Sequence, residues 1–581
     1  MKIKGGWHGK ILYIDLTRRV WDIKIPDPAL FYSCIGGKGL ATELFSRSPL
    51  GEWDSPYTPL IISTGPLADT PVCSTNFATV FSRSPLTGTI GDFSFPGSLG
   101  NALKKCGYDA VVLTGKASSS VGISIDENGV HFSETSHLRG LSVDDCVRHI
   151  SPFPQLFIGA AADCAIPYAN VIIDRHWARG RNGLGLCFSK KNIKYVRFSG
   201  SSPTHIHDEK LFADTKECIR RLIFASPSLM GEFGIERYGT GALFDLLETR
   251  RMMPTDLFRK TVFENAAAIN ACRFHEHFSP RAAGCQLCPV QCMRLTKDGD
   301  ALAGLDGMLS FGPQILNSDI EAVQKAVTVC NNYGLDPIST SLLFAESCHK
   351  AGSKTAEQVH VRIKNWVCGK ESLPVSGNDG WAIGSHPQAS AFTIKGQHIP
   401  PLDPRGAYGM ALSMAVSTRG ADDSAFAFSH EILRKPVVTD RFSFSGKARI
   451  TALMEDTQAA WASLAVCRYY TVAVSLDEYA KLLTAVSGIS FSSDDLLAAG
   501  RRTVYRERMI NARYGFGKSD DTLPEYFFTH RGTGGNGIEV KPLPRSEFES
   551  ALQAYYTVRG LTKEGQPTRQ HASALGLLCK E

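Results

Sequence analysis

The sequence predicts an α+β fold: a β-rich segment through residue 205, then two mainly α-helical domains at 206–400 and 401–581. Three observations carry this. Short apolar, β-branched runs alternate with Gly, Pro and Ser turns before residue 206, and beyond it apolar residues recur at helical spacing. A chain of 581 residues also exceeds one core, at roughly 150 residues per domain. The expected junctions are SGSSPTHIHDEK at 199–210 and a segment within 375–400.

In chain order, the strand-like runs are KILYIDLT at 10–17, LIISTG at 60–65, FATVFS at 77–82, AVVLTG at 110–115 and VGISID at 121–126. Their Val and Ile suit a pleated, half-buried surface, and glycines or prolines punctuate them. The first helix read from the pattern is SDIEAVQKAVTVCNNYG. Ser318 with Glu321 reads as a capping box, Ile320, Val323, Val327 and Cys330 share one face, and Gly334 supplies the stop. Further helical patterns fall at 339–351, 447–466, 476–487 and 493–513, with no internal repeat or low-complexity segment.

Composition excludes several function classes. The chain is 43% hydrophobic and 21% charged, and no apolar run approaches the ~20 residues of a bilayer span. The N-terminus MKIKGGWHGKILYIDL lacks the apolar core and cleavage site of a secretory signal, so a cytoplasmic protein is expected. Net charge is only +6 with dispersed basic residues, so no nucleic-acid partner is expected. The 16 cysteines read as buried thiols plus one metal site, with Cys106, Cys187 and Cys330 as inert core residues.

That metal site is Cys285-Gln-Leu-Cys288-Pro-Val-Gln-Cys292. Three thiolates spaced C-x2-C-x3-C can reach separate irons of one polynuclear cluster while a distant cysteine closes the fourth corner. Zinc is the rival reading. It usually takes two paired knuckles, and no second C-x2-C occurs, although Cys272, His275 and His277 offer other ligands nearby. A cluster of unliganded thiols is the third alternative.

Many motifs elsewhere in the chain share one order with a known family. They are GGWHGKILYIDLT, IGGKGLATELF, STGPLADT, RSPLTG at 83–88, KKCGYDAVVLTGKA at 104–117, RGRNGLG at 179–185, SKKNIK at 189–194 and RYGTG at 237–241, then the cysteine cluster, YGLDPIST at 333–340, DPRGAYG at 403–409, DDTLP at 520–524 and YYTVRG at 555–560. Together they resemble the tungsten-containing aldehyde ferredoxin oxidoreductase family, of which the chain looks like a divergent member. The resemblance implies a β-rich base for a tungsten bis-pyranopterin, helical domains enclosing it and a 4Fe–4S cluster beside it. It also allows a magnesium ion bridging the pterin phosphates.

The resemblance assigns residues. The family's late Asp-x-x-Gly-Leu-Cys motif matches Ala462-Ser-Leu-Ala-Val-Cys467, making Cys467 the fourth cluster ligand and placing the backbone of Val466 at the pterin. Taken alone, Cys467 reads as a buried thiol ending a helix. Ser94-Phe95-Pro-Gly97-Ser-Leu-Gly100 and Arg179-Gly-Arg181-Asn182-Gly183 match segments that touch the pterins, with Arg181 at a phosphate-contacting arginine. Without the resemblance each is an ordinary glycine turn.

Departures from the family pattern are concentrated here. Asn331 replaces the leading aspartate of the motif that ends in Asp336, and Ala462 replaces that of the second motif. Asn76 stands where the family has an arginine, with Arg83 as a partial substitute. The catalytic glutamate and histidine fall at Asp306 and Asp423, which reach less far and are more acidic. The Glu-x-x-His that binds a metal between subunits in relatives maps to Lys325-Ala-Val-Thr328, so that metal is not expected.

The implied function is oxidation of an aldehyde, or reduction of a related carboxyl or thioester substrate, with electrons passing through the cluster. The implied partners are ferredoxin or an iron–sulfur subunit, with a homodimer as one assembly. The alternative is an electron-transfer relative that keeps the cluster and has lost tungstopterin.

Overall fold

The structure is a computed structural model that describes residues 2–350, 358–371, 392–434 and 437–577. Twelve strands before residue 199 form two six-stranded sheets. In the first, β1 to β6 (Ile11–Asp15, Val20–Lys24, Leu60–Thr64, Ala78–Arg83, Ile90–Phe95, Ala110–Thr114) lie in the order β2-β1-β6-β3-β4-β5. In the second, β7 to β12 (Val121–Asp126, Gly129–Glu134, Leu156–Ile158, Val171–Ile173, Trp177–Arg179, Ile193–Phe198) lie in the order β11-β10-β9-β12-β7-β8. All five predicted runs are strands. β3 is buried along its whole length, as its continuous apolar run requires of a strand covered on both faces.

Beyond β12, residues 199–208 contain neither helix nor strand before the helix Glu209–Phe224. The junction expected within 375–400 falls largely on 372–391, outside the described residues. The helices Pro337–Lys350, Leu476–Ser487 and Ser493–Arg513 occupy the predicted positions. Ser475 with Glu478 and Ser492 with Asp495 close capping boxes on the last two.

Two expectations change. The helix Ile320–Tyr333 is capped by Asp319, not Ser318: the Asp319 carboxylate accepts from Glu321 N at 2.9 Å and Ala322 N at 3.3 Å. Its negative charge also suits the positive helix start. The helix expected over 447–466 stops at Leu464, because Ala465 adopts φ 61° and reverses the chain. Gly334, at φ 78°, ends the helix Ile320–Tyr333 where expected.

The sheet region and the late helices share one core, in which Ile61 and Phe81 pack with Trp461, Leu464 and Tyr479. At Gly37 a Cβ would lie 2.2 Å from the Ala462 carbonyl, so only glycine permits this approach. Among the described residues no helix is long and apolar enough to cross a membrane.

Candidate active site

The cysteine loop joins two short paired strands, Arg281–Ala283 and Met293–Leu295. Cys288 N donates to Cys285 O at 3.1 Å, closing the first turn. Leu287 at φ 61° and Gln291 at φ 38° are non-glycine residues in the left-handed region, which costs roughly 1–2 kcal/mol each. Such strain gathers at ligand clamps. Arg294 secures the loop by donating to the carbonyls of Gln291 and Glu236.

The fourth cysteine arrives from a distant part of the chain. Because Ala465 reverses the chain, Cys467 leaves the helix axis, and Cys467 N donates to Ser74 O at 3.1 Å. Phe77 N donates to Ala465 O at 3.3 Å, anchoring the same turn to the loop before β4. Cys285, Cys288, Cys292 and Cys467 consequently line one cavity of about 310 Å³.

These thiols lie within electrostatic reach of one another. Burial, then the neighbouring cysteines, push Cys285 up to about 11 and Cys292 up to about 12, and raise Cys467 well above its ordinary value. Such a set loses its protons when a positive centre sits among the sulfurs. Among the described residues no three His, Cys, Asp or Glu side chains gather around a single metal ion. His277, one of the alternative zinc ligands, pairs instead with Glu321 at 2.7 Å, and neither Cys272 nor His275 is on the cavity wall.

The rest of the cavity wall mixes apolar residues with polar and charged ones. Ser94, Arg181, Asp306, Asp336, Asp423 and Val466 all line it. Asn76, Phe95, Gly97, Asn182 and Gly183 stand behind the wall instead. Phe95 is core, and Asn76 donates to Gly97 O. A Cβ on Gly97 would lie 2.4 Å from Asp174 Oδ2, and one on Gly183 2.2 Å from Pro167 O, so packing explains both glycines. Asn182 Nδ2 donates to Arg419 O at 2.8 Å. Cys330, expected as a plain core thiol, is buried but borders the cavity.

Arg181 spans the wall. It donates to Ala421 O at 3.2 Å and His398 O at 2.6 Å, and its Nε, 3.9 Å from Asp336, has no hydrogen-bond partner. Asn76 Oδ1, Asn182 Oδ1 and both ring nitrogens of His398 are likewise buried and unpartnered. Buried polar atoms are almost always satisfied; of these, Arg181 Nε is the charged donor that fits an anionic group such as a pterin phosphate, whereas the two amide oxygens accept and fit a donor edge instead. Asp336 also caps the helix Pro337–Lys350, accepting from Ser339 N at 3.2 Å and from Ser339 Oγ at 2.6 Å. Burial raises its pKa against the opposing charge of Arg181. Asn331, in place of the family aspartate, accepts from Ala178 N at 3.0 Å. Arg83 does not substitute at the cavity: it donates to Gly51 O at 2.8 Å and Gly88 O at 3.0 Å.

Sequence reasoning missed a charge network on this wall. Lys38 Nζ lies 3.3 Å from Asp92 and 3.0 Å from Glu507, and Arg419 donates to Asp92 O at 2.7 Å and to Asp422 at 2.6 Å. Asp422 and Asp423 are adjacent yet differ. Burial alone would raise Asp422, but Arg419 outweighs it and holds the carboxyl below its usual range. Asp423 is raised by burial, with Arg468 opposing and Asp422 and Asp306 reinforcing. Neighbouring carboxyls pushed apart in this way can divide acid and base roles. Asp306, in the first turn of the helix Leu305–Phe311, completes the group. Lys38 lies in a motif read from the sequence; the other partners carry no local signal.

Comparison with known proteins places the chain in a family. The model for the aldehyde ferredoxin oxidoreductase N-terminal domain matches residues 11–200, and that for domains 2 and 3 matches 214–366 and 380–577. The tungsten-containing aldehyde ferredoxin oxidoreductases of Pyrococcus furiosus and Thermococcus kodakarensis are each 27% identical, with 99% of this chain and 99% of each relative covered. Among solved structures, the active site complex BamBC of benzoyl coenzyme A reductase, in complex with 1,5-dienoyl-CoA, has a TM-score of 0.81 at 18% identity, covering 99% of this chain and 97% of that one. At that identity the likeness shows a shared fold. The chain is an oxidoreductase and belongs to the aldehyde ferredoxin oxidoreductase family.

Proposed function

We propose that this chain moves two electrons between a small aldehyde and its acid, using a tungsten bis-pyranopterin and a 4Fe–4S cluster, and passes them singly to ferredoxin or an iron–sulfur partner subunit. The observation that carries this reading is one cavity shared by four thiols, Arg181 and the Asp306, Asp422 and Asp423 carboxyls. When bound, the metal–pterin centre supplies the two-electron chemistry. Arg181 Nε, on the cavity wall, would hold its anionic periphery. A magnesium ion between the phosphates belongs to the same reading, as does a cytoplasmic location.

Aldehyde oxidation to an acid consumes water and releases two protons with the two electrons. Asp423, held toward its protonated form, and Asp306 beside it can accept and return a proton at a carboxylate oxygen. Arg468, whose charge is favoured by Tyr469 and then by Asp423, Asp422 and Asp306 against burial, offsets part of the negative charge of these carboxyls. The opposite direction, reduction of a carboxyl or thioester substrate, requires the same groups with proton flow reversed.

The cluster-only alternative predicts a small, neutral cavity closed by side chains. A charged cavity of about 310 Å³ speaks for the enzyme, although Ala462 removes one expected pterin contact. Anaerobically purified protein tested with aldehydes and an oxidised viologen dye should reduce the dye. Dye reduction absent with every aldehyde, together with no oxidation of reduced dye by acids or acyl thioesters, would refute the enzymatic reading.

A further inference from the structure

Tyr470 lies three residues beyond Cys467, in the short turn Arg468–Val472, with only 1% of its surface exposed. Its hydroxyl is 3.1 Å from Cys288 Sγ. Cys73, a fifth cysteine without a role in the motif, is within reach of the same hydroxyl and of Cys288. Cys285, Cys288, Cys467 and Tyr470 belong to one hydrophobic core with Val290, Trp461, Leu464 and Val466.

We propose that Tyr470 is a positioning residue for the thiol corner, its O–H donating to Cys288 Sγ and raising the potential at which the metal centre held there accepts an electron. The proposal rests on the cluster reading given above. Between a thiol and a phenol either group can donate, but a metal-bound thiolate has no proton, so the phenol must be the donor. Reduction adds one electron to the metal centre and makes its sulfur ligands more negative. The hydrogen bond therefore strengthens on reduction, and its low-dielectric surroundings amplify the effect. The proton stays on Tyr470 throughout, and the electron comes from substrate oxidation.

The ring and the hydroxyl have separable duties. The ring fills the core, whereas the hydroxyl has Cys288 as its hydrogen-bond partner. Tyr470→Phe removes one oxygen and keeps the packing. Iron content is measured first on anaerobic wild-type and Tyr470→Phe protein, and then the midpoint potential by redox titration followed by electron paramagnetic resonance. The expected result is unchanged iron and a midpoint shifted to lower potential in the variant. An unchanged or higher midpoint at full iron content overturns the proposal and leaves the cluster reading intact. Loss of iron from the variant assigns the hydroxyl to cluster retention and overturns the tuning role. Wild-type protein without an iron–sulfur signal overturns both this proposal and the reading beneath it.

Discussion

The thiol corner and the charged wall of the same cavity are built in opposite ways. Around Cys285, Cys288 and Cys467 the core is mainly apolar apart from Asn76 near Cys285 and the Tyr470 hydroxyl on Cys288, and burial leaves the thiols far from their ionised form. On the wall, Lys38, Asp92, Glu507, Arg419 and Asp422 pair with one another. The corner requires a positive centre to make thiolates, whereas these wall charges already pair with one another and leave Arg181 Nε without a hydrogen-bond partner. The departures from the family pattern follow this division. All four cysteines are kept, but Asn331 and Ala462, where aspartates were expected, both sit on the wall.

The largest effect should come from the corner. Cys288→Ser should abolish visible iron–sulfur absorption and most bound iron, while Cys106→Ser, in the core near β6 and β7, should keep both at wild-type levels. Equal losses in the two variants would mean general destabilisation, and the contrast between regions would fail.

On the wall, Asp423→Asn should lower kcat/KM by roughly 10²–10⁴, the usual worth of a positioned acid or base. Because burial raises Asp423 above the ordinary carboxyl value of 3.8, wild-type activity should fall as pH drops through that raised pKa, when the base becomes protonated. The variant should lose this acidic limb. A pH profile with the same limb in both proteins would move the proton-transfer role elsewhere.

Arg181→Ala should act on the pterin side alone. A charge-assisted hydrogen bond is worth about 1.5–3 kcal/mol, so tungsten retention should weaken roughly 10- to 100-fold while iron stays near wild type. Simultaneous metal analysis checks both. Unchanged tungsten would remove Arg181 from the cofactor site. The smallest effect is expected from Arg83→Ala, which should leave both metals unchanged, since Arg83 bonds Gly51 and Gly88 away from the cavity. Tungsten loss there would restore it as the missing arginine.

The two regions also differed in how much their sequence disclosed. Three corner ligands are legible because eight consecutive residues, 285–292, contain them. Cys467 needed the family position, since the apolar pattern of TALMEDTQAAWASLAVC continues through it and nothing local marks Ala465 for a left-handed turn. The wall was mostly illegible: Asp92 comes from β5, Arg419 and Asp422 from the loop after the helix Tyr408–Val416, and Glu507 from the helix Ser493–Arg513. Pairing across such distances leaves no periodicity to read. The long apolar strands were visible for the opposite reason, while β9, β10 and β11, three residues each, are too short to show alternation.

The central claim is that one cavity holds an iron–sulfur cluster at its thiol corner and a metal–pterin centre against its charged wall. Metal analysis by mass spectrometry on anaerobically purified protein tests it most directly. The account predicts about four irons with one tungsten or molybdenum per chain, on the stoichiometry of a four-iron cluster. Iron without tungsten or molybdenum would contradict the wall assignment, and zinc in place of iron would contradict the corner.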